Sequence, residues 1–238
     1  MDALPVDLQT LVNPPAAVVR QEEIPVLRSE MLRTAACSLG ARGGLLARAK
    51  AIRVEVERNR SILERYRFQS VMLMGGMLPP VISEAREAVK QDSPKLRRIA
   101  GVVYRIEAPE RFVTVAPTWR DYVFKGLPDG NTVEAPPPNF LPKGEVEQEF
   151  WKKTVTSCWT KGAEQADQIF EINMSRLERD FSGMLRYKQL VVSGMIVPPK
   201  MGVERQASSG SATELVVEDE VHSIVGTSAF QKDPSKWK

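Results

Sequence analysis

VMLMGGMLPPVISE, residues 71–84, and VVSGMIVPPKMG, residues 191–202, are almost one phrase written twice: an apolar run, a glycine before a methionine, then paired prolines. Each reads as the end of a helix, because glycine accepts the backbone of a C-terminal cap and proline disfavours helix at the residue before it. An offset of 118 extends the match both ways. Upstream, Gly44 falls on Gly162, Ile52 on Phe170, Val56 on Met174 and Leu63 on Phe181, which superposes two amphipathic patterns. Gly76 and Met77 fall on Gly194 and Met195, while Pro79 and Pro80 are answered one residue later by Pro198 and Pro199. Downstream, Val103, Tyr104 and Ile106 meet Val221, His222 and Ile224, Phe112 meets Phe230, and PTW at 117–119 answers PSKW at 234–237. The same elements in the same order argue for an internal duplication; the competing account is chance similarity between two amphipathic helices.

One unit is therefore a long amphipathic helix, a glycine and proline stop, and a small β element ending in tryptophan. A β element of two or three strands cannot bury an apolar face alone, so it needs the helices or the other copy. The expected fold class is α+β: long amphipathic helices, packed antiparallel or obliquely, with small antiparallel β elements joined into one sheet or capping the bundle. Residues 1–24, broken by LP and NPP, read as an extended arm with no counterpart in the second half, expected to be dispensable for folding. Residues 25–238 are expected to form a single compact domain of two related units, about 27–120 and 145–238, joined by a Pro-rich linker at 125–144.

Within the first unit, Leu32, Ala36 and Leu39 share a helical face until Gly40, Gly43 and Gly44 interrupt it; a second run from Leu46 continues to Gly75. Ser83 to Lys90 reads as a short helix with Ser83 at its N-cap, and residues 95–117 as strands rich in Val, Ile, Tyr and Phe. In the second unit Glu145 opens the longest helical pattern. Gly162 and Gly183 within it mark either bends or sites of close packing.

A net charge of +3, from 33 basic and 30 acidic residues in 238, is too balanced to argue for nucleic acid, which is met by concentrated cationic surfaces. Two cysteines, Cys37 and Cys158, match no metal spacing and are read as two buried thiols, with one bridge as the alternative. No apolar run is long enough to span a membrane. The lone histidine, His222, answers Tyr104 and reads as a half-buried packing position. Phosphate-binding and nucleophile-elbow motifs are missing, and the carboxylates of VEVERNR, EVEQE and VEDE read as solvated faces. These observations favour a structural or interaction protein without cofactor or metal. An enzyme or binding module of the cell envelope acting on peptidoglycan, using an Asp or Glu pair, is the alternative.

The candidate packing or interface residues are the four tryptophans and the two helix stops. Trp151 and Trp159 lie eight apart on one helix face, reading as core or as an intersubunit contact. Trp119 and Trp237 end the two units and are expected in equivalent environments. Met77, Pro79 and Pro80, with Met195, Pro198 and Pro199, form the stops, where methionine suits an irregular packing joint.

SLGARGGLLARAKAI (38–52), LPPVISEAREA (78–88), RFVTVAPTWRDYV (111–123), LPK (141–143), FWKK (150–153) and GAEQADQIFEINMSRLERDFSGMLRYKQL (162–190) together resemble the DotC family, lipoproteins of type IVB secretion systems of the Dot/Icm kind and of related conjugative plasmids. The resemblance covers roughly residues 25–238. It implies a periplasmic, architectural protein of the outer-membrane core complex, in several copies in a ring, working with DotD-like lipoprotein and DotH-like secretin-like partners and making no direct nucleic-acid contact. It also implies a lipid on an N-terminal cysteine. The chain carries no signal peptide and no cysteine near residue 1, so the expectation is a mature or truncated segment, or anchoring through partners.

Overall fold

Alanine, leucine, arginine and glutamate dominate the run from Val26, and these strong helix formers carry one helix of 33 residues through all three glycines. The computed structural model describes residues 3–5, 7–12, 24–93 and 95–238. In chain order the elements are β1 (Ala3–Pro5), α1 (Leu8–Val12), α2 (Val26–Arg58), α3 (Arg60–Leu63), α4 (Phe68–Val71), β2 (Met77–Leu78), β3 (Val81–Ser93), β4 (Leu96–Ala108) and β5 (Arg111–Phe112). There follow α5 (Trp119–Val123), β6 (Thr132–Glu134), α6 (Glu145–Val192), β7 (Ile196–Val197), β8 (Lys200–Gly210), β9 (Leu215–Gly226) and β10 (Ala229–Phe230). The α+β class holds. Residues up to 65 with 120–175 make one compact unit, and residues 66–119 with 176–238 make the other. The first collects long helical segments from both sequence repeats, the second their β elements.

In the first unit α2 and the first part of α6 run parallel, where antiparallel or oblique packing was expected. Arg28 meets Glu147, Cys37 is bonded to Cys158, and Arg48 meets Asp167, so contacts ascend together along both helices. Duplication supplies the reason. A Cβ at Gly44 would run into the Trp159 carbonyl, and one at Gly162 would run into the Ala41 carbonyl. Under the 118 offset these are the same contact seen from its two sides. A local two-fold along the helices places equivalent positions opposite one another, and only glycine permits so close a backbone approach. Gly40, Gly43 and Gly44 therefore do not interrupt α2, and Gly162 does not bend α6; each costs about 1 kcal/mol of helix propensity that the contact offsets.

The arm is not simply extended. β1 pairs antiparallel with β6, Leu4 opposite Val133, and α1 buries Leu11 completely among Leu32, Ala36, Leu39, Trp151 and Val155. The Trp151 indole N–H donates to the Leu11 carbonyl at 3.1 Å. Residues 7–12 thus complete the first unit's core, against the expectation of a dispensable arm; the NPP at 13–15 lies outside the described residues. Leu11→Ala is expected to lower stability by about 3 kcal/mol in a urea melt, the cost of a large-to-small change at a fully buried site.

α2 stops at Asn59 instead of continuing to Gly75, and α3 and α4 are single turns. Leu63, Tyr66, Phe68 and Val71 are all buried, too many directions for one helical face. In the second unit Tyr66 and Phe68 each meet the Phe181 ring edge-on at 5.3 Å, so the chain leaves the helical path to clamp that ring.

The β elements of the second unit do not join into one sheet. Among the described residues they form separate two-stranded sheets: β2 with β5, β3 with β4, β7 with β10, and β8 with β9. The two halves match element for element. Met77 pairs with Phe112 and Ile196 with Phe230, which aligns Met77 with Ile196 in place of Met195. Ser83 to Lys90 lies in strand β3, not a helix: Ala85 faces Val103 and Val89 faces Ile99, so β-branched partners override the helical bias of the alanines. Ile82, Tyr187, Leu190 and Ile196 form the core, with Tyr104, Ile106, Met195 and Phe230 packed against it. A Cβ at Gly183 would lie 2.8 Å from the Ile82 amide nitrogen, so this glycine too is a contact and not a bend.

Candidate functional site

Three features could mediate function: the polar clamp at the start of the helix pair, the groove farther along it, and the two β ribbons. The clamp begins with Arg28 in the first turn of α2. Its guanidinium donates to both Glu147 carboxylate oxygens, at 3.0 and 2.8 Å, and to the carbonyls of Asn139 and Leu141, at 2.6 and 2.7 Å. The Lys143 backbone N–H donates to Glu147 at 2.9 Å. One side chain thereby holds the proline-rich linker and the first turn of α6 against α2. Glu147 is buried, which sequence reading missed because EVEQE looks like a solvated face.

The Arg28 hydrogen bonds hold the Glu147 carboxyl below the usual carboxylate range; burial opposes this and the Lys143 amide reinforces it. A lowered folded pKa means a contribution fully present above the unfolded value, about 4.3 for glutamate. It is lost as pH falls through the folded pKa. Glu147→Gln is expected to cost about 3 kcal/mol at neutral pH, because it strands a largely buried cation. Stability measured from pH 7 downward should fall less steeply below pH 4.3 in this variant than in the native chain.

Farther along the same unit, Ile52, Val56, Leu63, Phe170 and Met174 line a groove of about 550 Å³. The Arg48–Asp167 ion pair, 2.8 Å, stands on its rim. Its walls are apolar and its charges peripheral, which suits packing against another apolar surface. Among the described residues no cluster of three or more His, Cys, Asp or Glu is placed to hold a metal ion. No helix is long and apolar enough to cross a membrane.

In the second unit a buried polar group was also missed. Glu110 is buried and accepts the Ser228 backbone N–H at 2.8 Å. These residues are 118 apart, so equivalent repeat positions meet. Burial pushes the neighbouring Tyr187 phenol up. His222, expected to be half-buried, is exposed on β9, its Nε2 3.2 Å from Glu220, whereas its equivalent Tyr104 packs against the core.

The sequence-derived candidates divide between the units. Trp151 is fully buried and Trp159 is half-buried against the same core. Met77, Pro79 and Pro80 are buried; Met195 and Pro199 are half-buried and Pro198 exposed. Trp119 and Trp237 are not equivalent: Trp119 is 4% exposed at the start of α5, while Trp237 is 43% exposed, its indole N–H donating to the Gln231 carbonyl at 3.0 Å. A 3-10 turn at Pro234–Lys236 leads into Trp237, whereas Trp119 opens helix α5. Trp119→Ala should lower the urea midpoint by the equivalent of about 3 kcal/mol, and Trp237→Ala by about 1 kcal/mol.

The ribbons are the least covered elements. β3 and β4 are 13 residues each, about 40 Å when extended, and most of their side chains beyond Ser83 are exposed. β8 and β9 repeat this build.

Residues 26–238 match the family model described as type IV secretory system, conjugal DNA-protein transfer. No curated protein matches the chain.

Proposed function

Because the chain belongs to the TraI family of the type IV secretory system, conjugal DNA-protein transfer, we propose that it is a structural subunit of the envelope-spanning apparatus and not an enzyme. The observation that carries this reading is the pair of long ribbons with exposed apolar side chains. Two-stranded ribbons are marginal alone in water and become stable when a partner covers them. The resemblance to DotC adds the finer assignment: an outer-membrane core complex of the type IVB kind, with DotD-like lipoprotein and DotH-like secretin-like partners, in the periplasm at the outer membrane. The Cys37–Cys158 bond supports that compartment, since disulfides persist where the surroundings oxidise.

Co-expression with DotD-like and DotH-like proteins, followed by detergent extraction and affinity isolation, tests the reading. Co-purification in a large particle from the outer-membrane fraction is expected. Failure to associate with either partner, or hydrolysis of peptidoglycan by the purified chain, would overturn it.

A further inference from the structure

The two ribbons share a build but not a charge. Around the turn of the β3–β4 ribbon stand Lys90, Lys95, Arg97 and Arg98 against a single acid, Asp92. The corresponding part of the β8–β9 ribbon carries Glu214, Glu218, Asp219 and Glu220, with no cation from residue 206 to 220. Internal pairing removes only part of this. Asp92 takes Lys90 at 3.3 Å and Arg98 at 2.6 Å, and Glu220 takes Arg205 at 2.6 Å. Among the described residues Lys95 and Arg97 make no ion pair, and neither do Glu214, Glu218 and Asp219.

Apolar side chains are interspersed with the free charges. Ile99 is 67% exposed on the basic ribbon, and Leu215 and Val217 are 74% and 61% exposed on the acidic one. Each ribbon has only two strands, so each also presents unpaired backbone edges, which readily pair with another strand. Two basic ribbons repel each other, as do two acidic ones, which disfavours a symmetric contact between identical patches. A basic ribbon against an acidic one satisfies charge, apolar surface and strand edge together.

We propose that the β3–β4 ribbon of one copy docks on the β8–β9 ribbon of a second copy. Every chain carries one ribbon of each sign, so the contact is head-to-tail and repeats, closing into a ring where the rotation between copies allows. The inference deepens the structural-subunit reading and rests on it.

Sedimentation velocity of the purified full chain, over a concentration series at low and high salt, provides the test. Self-association that weakens with salt is expected. Lys95→Glu with Arg97→Glu, and separately Glu214→Lys with Asp219→Lys, should each raise the dissociation constant about tenfold or more. Lys95, Arg97 and Glu214 are exposed and Asp219 is half-buried on a two-stranded ribbon, so circular dichroism and the melting temperature, measured for each variant, should stay close to native. An equimolar mixture of the two variants, or one chain bearing all four reversals, should regain association. A native chain that stays monomeric to its solubility limit, or that self-associates regardless of either reversal, overturns the proposal. So does loss of DotD-like or DotH-like binding, with self-association intact, on reversing either ribbon. Isolation with those partners is a separate measurement. Partner binding by a monomeric chain would sink the ribbon contact and leave the subunit reading standing, while self-association without partner binding would do the reverse.

Discussion

A chain with both Cys37 and Cys158 replaced by alanine is expected to lose about 4 kcal/mol of stability. The bond joins residues 121 apart, so in the unfolded state it closes a loop that includes most of α2, both strands of the first ribbon and the linker. Restricting so long a loop removes much unfolded-state entropy. Adding reductant to the native chain should shift the urea midpoint by nearly the same amount, while the double-alanine variant should ignore it. A native midpoint indifferent to reductant would contradict both the expected stabilisation and the support that this bond lends to an oxidising compartment.

The second large effect is expected from the smallest substitution. Gly44→Ala or Gly162→Ala adds one methyl directed at the facing helix's main chain, which cannot swing aside as a flexible side chain can. Each should cost about 3 kcal/mol, at the upper end of overpacking, by forcing α2 and α6 apart. The two contacts are related by the duplication, so the double variant should cost clearly less than the sum: helices already separated by one methyl leave room for the other. Gly101 supplies the control. Nothing lies within 4 Å of a Cβ built there, and Gly101→Ala should stay within about 0.5 kcal/mol of the native chain in the same urea melts. Equal effects at Gly44 and Gly101 would remove the close backbone approach as the reason for the parallel pair.

Local pattern was enough to read the amphipathic runs of α2 and α6, the strand character after Leu96 and the repeated phrase. Each rests on spacing or backbone restriction within a few residues, and the α+β class follows from them. Local pattern did not show the unbroken course of α2 through its glycines or its end at Arg58. Nor did it place the paired prolines, which follow the short strands β2 and β7 instead of ending helices. Partnership between distant segments was not legible. Ser83 to Lys90 has the alanine and charge spacing of a helix, and only Val103 and Ile99 across the ribbon make it a strand. The helix pair reads the same parallel or antiparallel, because an apolar stripe carries no direction; the mutual contacts of Gly44 and Gly162 decide it.

Burial of single charges was equally out of reach. Glu147 belongs to an acidic run that would be solvated on an isolated helix, and it is buried because Arg28 arrives from 119 residues away. The pairing of Cys37 with Cys158 and the burial of Leu11 likewise depend on which segments fold against which. The sequence by itself determined the amphipathic runs, the strand character and their repetition, since these follow from local periodicity and backbone sterics. Tertiary structure alone decided helix direction, the disulfide, the buried clamp and the inequality of Trp119 and Trp237, because each depends on the free energy of a contact whose partner is far away in the chain.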